Sequence, residues 1–144
     1  MPTLTIEGTE LEYGEADLIN FAEGLIGMPH LRRMVLIRQA EVEPFLWLAS
    51  VDEPGTAFLV IDPRMWTPGY APQLPESLKQ LSATEAEGAW LILAVVTIAA
   101  DWSASTINLR APVVIAPKAM QGAQTILSDS NYKHDEPLPQ AQAA

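Results

Sequence analysis

Six consecutive apolar residues, Leu91-Ile92-Leu93-Ala94-Val95-Val96, set the strongest limit on how this chain can fold. They sit inside a longer run from Ala89 to Ala100 that is interrupted by Thr97. The run falls short of the roughly 20 apolar residues a helix needs to cross a bilayer. Its β-branched content favours a strand, and a strand apolar on both faces must be covered on both. The chain therefore needs apolar material on two sides of one sheet, which a barrel or a sandwich supplies.

The rest of the sequence is punctuated in the same all-β manner. Short segments rich in β-branched and aromatic residues are separated by Gly, Pro, Asp and Asn. Strands are expected at Thr3 to Ile6, Asp17 to Phe21, Met34 to Arg38, Leu46 to Ser50, Ala57 to Ile61, Ala89 to Ile98, Thr106 to Leu109, Val113 to Ala116 and Gln124 to Leu127. In the first, Leu4 and Ile6 alternate with Thr3 and Thr5, the pattern of a strand with one wet face. One short helix is expected from Pro75 to Leu81, where Leu74, Leu78 and Leu81 recur at helical spacing behind a proline suited to the first turn; it would cap an opening. No fixed-period repeat or Ser/Gly linker divides the 144 residues. The expected fold is mostly β: one compact antiparallel barrel-like domain over 1–136, with a flexible tail over 137–144 that is poor in apolar residues.

Composition narrows the function. There is no cysteine, so disulfides, thiolate metal sites and cysteine nucleophiles are excluded. The N-terminal residues lack the basic and long apolar regions of a secretory signal, and a cytoplasmic location is expected. A net charge of −10 repels nucleic-acid phosphate and anionic lipid. Glu7, Glu10, Glu12, Glu15, Asp17 and Glu23 all precede the first basic residue, Arg32. That one-signed segment is either a solvated face or a surface that attracts a basic protein.

A search for catalytic chemistry finds little. His30 and His134 have no second metal ligand at useful spacing, and neither a metal nor a cofactor is expected. Gly24-Leu25-Ile26-Gly27 lacks the Lys-Ser/Thr ending of a phosphate loop and reads as a turn. Asp52 and Asp62 each close an expected strand and are the best candidates for an acid pair, the basis of an alternative reading as a small β-barrel hydrolase or carbohydrate-active enzyme. Both also lie in turn signatures, Asp52-Glu53-Pro54-Gly55 and Asp62-Pro63, in which Asp accepts local backbone N–H bonds. Trp66 and Tyr70 stand in a Pro-rich loop, Met65 to Pro72, where they either pack down or anchor a partner.

Four stretches carry a resemblance. They are Phe21-Ala22-Glu23-Gly24-Leu25-Ile26-Gly27-Met28-Pro29, Pro44 to Pro54, Ala57-Phe58-Leu59-Val60-Ile61-Asp62-Pro63, and Asn108-Leu109-Arg110-Ala111-Pro112-Val113-Val114-Ile115. With Tyr132 and Pro137-Leu138, they resemble, in order and over nearly the whole chain, the bacterial flagellar assembly factor FliW family. Met28 replaces a more usual aromatic, while Ala49 and Ala116 stand where polar residues are commoner.

The resemblance implies a non-catalytic, β-barrel-like protein that binds two others, the translational regulator CsrA and flagellin. It implies a partner switch: CsrA repression of flagellin translation is relieved when flagellin is depleted. An acidic surface suits a basic RNA-binding partner. The expected contact residues are Glu10, Glu12, Glu15 and Glu23 for steering, with Trp66 and Tyr70 as anchors. The chain is expected to be monomeric alone, with no direct nucleic-acid or membrane partner. A shared sheet edge flanked by apolar pockets would make the two partners exclusive; separate patches coupled by a shape change would do so too.

Overall fold

The computed structural model of the chain describes residues 2–81, 89–128 and 131–138. Eleven strands occur among them: β1 Thr3–Ile6, β2 Thr9–Glu12, β3 Ile19–Phe21, β4 Arg33–Ile37, β5 Leu46–Ser50, β6 Ala57–Ile61, β7 Leu91–Thr97, β8 Thr106–Ile107, β9 Val113–Ala116, β10 Gln121–Gln124 and β11 Glu136–Pro137. The apolar run is central, as its two-faced character demands. β7 pairs with β6 through Ala94 and Val95, with β9 through Leu91 to Leu93, and with β8 through Val96 and Thr97. Cover fails at the two ends of β7, where Leu91 and Thr97 are exposed.

Seven strands close into a ring in the order β7-β6-β5-β4-β3-β10-β9 and back to β7. Every pairing is antiparallel except the closure between β3 and β10, which is parallel and only two residue pairs long: Asn20 with Gln121 and Phe21 with Gly122. Alternation along each strand sorts side chains between the barrel and its outside. Phe21, Met34, Leu48, Val60, Leu93, Val113 and Ile115 fill the interior. Gly122 sits where Phe21 crosses the closure: a Cβ there would lie 2.5 Å from the Phe21 ring.

The outward-facing apolar residues are covered by three additions. The hairpin β1–β2 lays Leu4 and Ile6 over Val35, Ile37 and Ala49. Its two-residue turn, Glu7-Gly8, has φ of 50° and 80°, the handedness that tight hairpins require. β8 and β11 extend the sheet beyond β7, and Tyr70, Ile107, Leu109, Leu127 and Leu138 cover Ile61, Ala94 and Val96. Leu78 and Trp90 pack on Val114 and Ala116 of β9.

Several expectations change. The short helix is a 3-10 turn, Glu76–Leu81; Leu78 seals the outer wall of β9 and caps no opening. The strand placed at Gln124 to Leu127 runs instead from Gln121 to Gln124, because the parallel closure fixes it there. The segment before β3 is a 3-10 turn, Glu15–Asp17. The expected tail starts too soon: Pro137 pairs with Thr106, and Leu138 is buried beside Ile107 and Leu127. Apolar poverty over 137–144 hid one residue that a pocket in the fold was waiting to bury. Residues 139–144 lie outside those described.

Candidate protein-binding site

After β3 the chain turns sharply out of the barrel wall. Gly24 has φ of +67°, and a Cβ on it would lie 2.6 Å from the Met28 carbonyl oxygen. Only glycine fits. Leu25 and Met28 then exchange both backbone bonds, Met28 N–H donating to Leu25 O at 2.8 Å and Leu25 N–H to Met28 O at 3.2 Å. Gly27, with φ of +79°, closes this two-residue turn. The geometry buries Leu25 and thrusts Ile26 outward, 43% exposed.

Two side-chain amides fix the opposite wall. Gln124 accepts the Ile26 N–H on Oε1 at 3.0 Å and donates Nε2 to the Ala111 carbonyl at 3.1 Å. Asn108 accepts the N–H groups of Arg110 and Ala111 on Oδ1, at 3.1 and 3.0 Å, turning the chain from β8 into β9. Between these walls a cavity of about 230 Å³ opens, lined by Leu25, Ile26, Met28, Phe58, Val95, Asn108, Ala111, Gln124 and Ile126. Phe58 and Val95 belong to the barrel interior, so this cavity is the barrel's mouth. Ile126, 54% exposed, forms its rim.

Beside the mouth runs an open sheet edge. Thr125 and Leu127 donate to the carbonyls of Pro112 and Arg110, at 3.1 and 2.8 Å, continuing the β9–β10 ladder. Alternate residues of an antiparallel strand face the other way, so the N–H groups of Gln124 and Ile126 point away from β9. β3 has left the sheet after Phe21, and among the described residues neither N–H finds a partner. Two further depressions, each about 380 Å³, flank this edge. One shares Gln124 and includes Glu23, Ser77, Leu78 and Ala123; the other shares Ile126 and includes Ala71, Gln73 and Tyr132.

The residues expected from the sequence are scattered. Glu10 and Glu12 lie opposite Thr5 and Thr3 on the outer face of the hairpin, exposed, with Glu15 exposed in the turn that follows. Glu23 is exposed on a different element, lining the depression beside Gln124. Tyr70 is no surface anchor. It is 2% exposed, donates its hydroxyl to the Leu109 carbonyl at 2.7 Å and stacks at a tilt 4.6 Å from Tyr132. Burial and the neighbouring Tyr132 push its phenol well above the usual range. Trp66 is half-buried, edge-on to Phe45 at 5.4 Å, and Phe45 meets Trp102 at 6.3 Å. The sequence reading missed Ile26, Asn108, Gln124 and Ile126. A signal existed for two of them: Ile26 lies between two glycines, and Ile126 adjoins Leu127, so one of that pair must face out of its layer.

Asp52 and Asp62 do not form an acid pair. They follow β5 and β6, which run antiparallel, so they lie at opposite ends of one hairpin. That separation is on the order of 15 Å along the ladder, against about 5–9.5 Å for glycosidase carboxylates. Each is spent on backbone N–H groups, Asp62 in its own turn and Asp52 across to the start of β4 instead of in the local bonds its turn signature suggested. Asp52 accepts the Arg32 and Arg33 N–H groups at 3.0 and 2.7 Å and Arg33 Nε at 2.8 Å. Desolvation works to raise its pKa, but these donors outweigh it and hold the carboxyl below the usual value. Asp62 accepts the Arg64 N–H at 3.0 Å. His30 pairs with Glu53 at 3.2 Å on the surface; the Thr56 hydroxyl and His30 hold that carboxyl down. Among the described residues no cluster of His, Cys, Asp or Glu could hold a metal ion, and no helix is long and apolar enough to cross a membrane.

Three of the four resemblance segments meet at the mouth: Leu25, Ile26 and Met28 from the first, Phe58 from the third, Asn108 and Ala111 from the fourth. Comparison with known proteins agrees. The family model described as FliW protein matches residues 4–138. The flagellar assembly factor FliW of Caldanaerobacter subterraneus subsp. tengcongensis is 37% identical over 129 residues, 89% of this chain and 86% of that protein. Flagellar assembly factor FliW 2 of Desulfotalea psychrophila is 33% identical over 139 residues, 96% and 91% of the two chains. A crystal structure of the flagellar assembly factor FliW superposes with a TM-score of 0.86 at 28% identity, covering 96% of this chain and 99% of that one. Motif order, overall sequence and fold coincide over almost its full length, and the chain belongs to the FliW family of flagellar assembly factors.

Proposed function

We propose that this chain serves flagellar assembly as a cytoplasmic, non-catalytic partner switch. It binds CsrA or flagellin, and relieves CsrA repression of flagellin translation when flagellin is depleted. The observation that carries the reading is the barrel mouth. This cavity of about 230 Å³ adjoins unpaired backbone, the means by which one protein adds to the sheet of another. The acidic outer face of the hairpin, with Glu10, Glu12 and Glu15, supports a basic partner such as CsrA, chiefly by speeding encounter.

A competition titration tests the switch. The chain is loaded with the host's CsrA and titrated with flagellin, then the order is reversed. Each protein should weaken binding of the other, and by the same factor, because coupling of binding is reciprocal. Simultaneous binding with no mutual weakening would overturn the reading.

A further inference from the structure

Resting on the protein-binding reading above, we propose that the free edge at Gln124 and Ile126 takes up an extended segment of a partner protein as an added β-strand. One apolar side chain of that segment enters the barrel mouth, and a Lys or Arg next to it in sequence pairs with Glu23.

The edge itself is the first argument. Exposed sheet edges are normally guarded by charge, proline or shortness, and two others here are so guarded: β2 carries Glu10 and Glu12, and β11 is two residues long with Pro137. From Ala123 to Leu127 there is neither a charge nor a proline. The gap beside it is also built, since the left-handed Gly24 takes the chain out of the sheet where β3 would otherwise continue alongside β10.

The surroundings choose the occupant. Side chains of an added strand alternate between faces. One face meets the mouth, rimmed by Ile26 and Ile126, 43% and 54% exposed, with room for a single large apolar side chain. The other meets the depressions outside. Among the described residues Glu23 is the one charged residue lining any of the three hollows, and the chain's net charge is −10. Like-charge repulsion therefore disfavours a second copy of this chain, and a cationic neighbour to the apolar anchor is favoured.

Phage-displayed random peptides panned against the intact chain test this site without presuming the partner. Enriched peptides should place a large apolar residue directly beside Lys or Arg. They should bind Ile126→Asp at least about tenfold more weakly, and Glu23→Lys should shift selection from basic to acidic neighbours. Amide hydrogen exchange at Gln124 and Ile126 should slow when a selected peptide is bound. Both substitutions are at exposed positions, and an unchanged urea midpoint confirms that the fold is kept. Peptides that bind Ile126→Asp equally well, or that leave exchange at the two amides unaltered, would overturn the proposal. If neither CsrA nor flagellin binds while such peptides do, this site stands and the partner assignment falls. If both proteins bind wild type and Ile126→Asp alike and no peptide is selected, the site falls and the assignment stands.

Discussion

Replacing Gly122 by Ala tests whether Phe21 closes the barrel as the structure has it. The added Cβ would lie 2.5, 2.7 and 2.9 Å from three atoms of the Phe21 ring, whereas carbon atoms rest at about 3.5–4.0 Å. Ring and strand must therefore separate by about 1 Å. The ring has nowhere to go, being fully buried among the interior side chains. If the backbone yields instead, it gives up the two residue pairs that join β3 to β10 and close the barrel. Overpacking of this kind costs about 1–3 kcal/mol, and the constrained site argues for the upper half of that range. Gly122 has no positive φ, so Ala gains about 0.4–1 kcal/mol by restricting the unfolded chain. The net loss is about 1–2.6 kcal/mol, read as a lower urea midpoint at unchanged slope. A double-mutant cycle with Phe21→Leu identifies the cause: the smaller side chain should make Gly122→Ala nearly neutral, a coupling of about 1 kcal/mol or more. If Gly122→Ala is as stable as wild type, or if its cost persists in the Phe21→Leu background, the packing argument is wrong.

Two glycines in the mouth loop should behave differently. Gly24→Ala combines positive φ with a Cβ only 2.6 Å from backbone and should cost upward of about 3 kcal/mol; Gly27→Ala meets no atom within 4 Å and should cost only the left-handed backbone term, about 1–2 kcal/mol, a ranking that urea melts resolve. Asp52→Ala should cost about 1–2 kcal/mol near neutral pH through its lost backbone and guanidinium bonds. Because its folded pKa is depressed, that contribution is complete above the unfolded value near 3.8 and disappears as pH falls through the folded one; a wild-type minus variant difference that stays constant into strong acid would refute the assignment. Association with CsrA should slow as salt is raised from about 50 to 500 mM, and less so for a Glu10→Gln, Glu12→Gln, Glu15→Gln variant. Stopped-flow rates that ignore both changes would return the hairpin's outer face to simple solvation.

Much of the architecture was legible in local pattern. The two-faced run at Leu91 to Val96 announced a strand needing two covers, and both exist. Leu4 and Ile6 alternated for a half-wet strand and lie over β4 and β5. The turn signature at Asp62 foretold its local backbone bond; that at Asp52 did not, since its carboxylate reaches Arg32 and Arg33 at the start of β4, 20 and 19 positions away. Illegible segments share a cause. β2 reads Thr-Glu-Leu-Glu, too polar to signal burial, because it is held by pairing to β1 rather than by its own apolar face. Tyr70 reads as a loop aromatic, yet the loop folds back and its hydroxyl finds a carbonyl 39 positions away.

By itself, then, the sequence determined most of the barrel's strand segments, the acidity, the family motifs and the demand for cover on two faces, since these follow from side-chain period and composition along short stretches. The barrel's closure and its mouth were decided only in three dimensions. Asn20 and Gln121 meet across 101 positions, and Gly24, Gln124 and Ile126 acquire a shared role only because β3 leaves the wall where β10 continues. Periodicity tells which face of a strand is apolar; which strand lies beside it, and which edge is left open, depends on how all the elements pack at once.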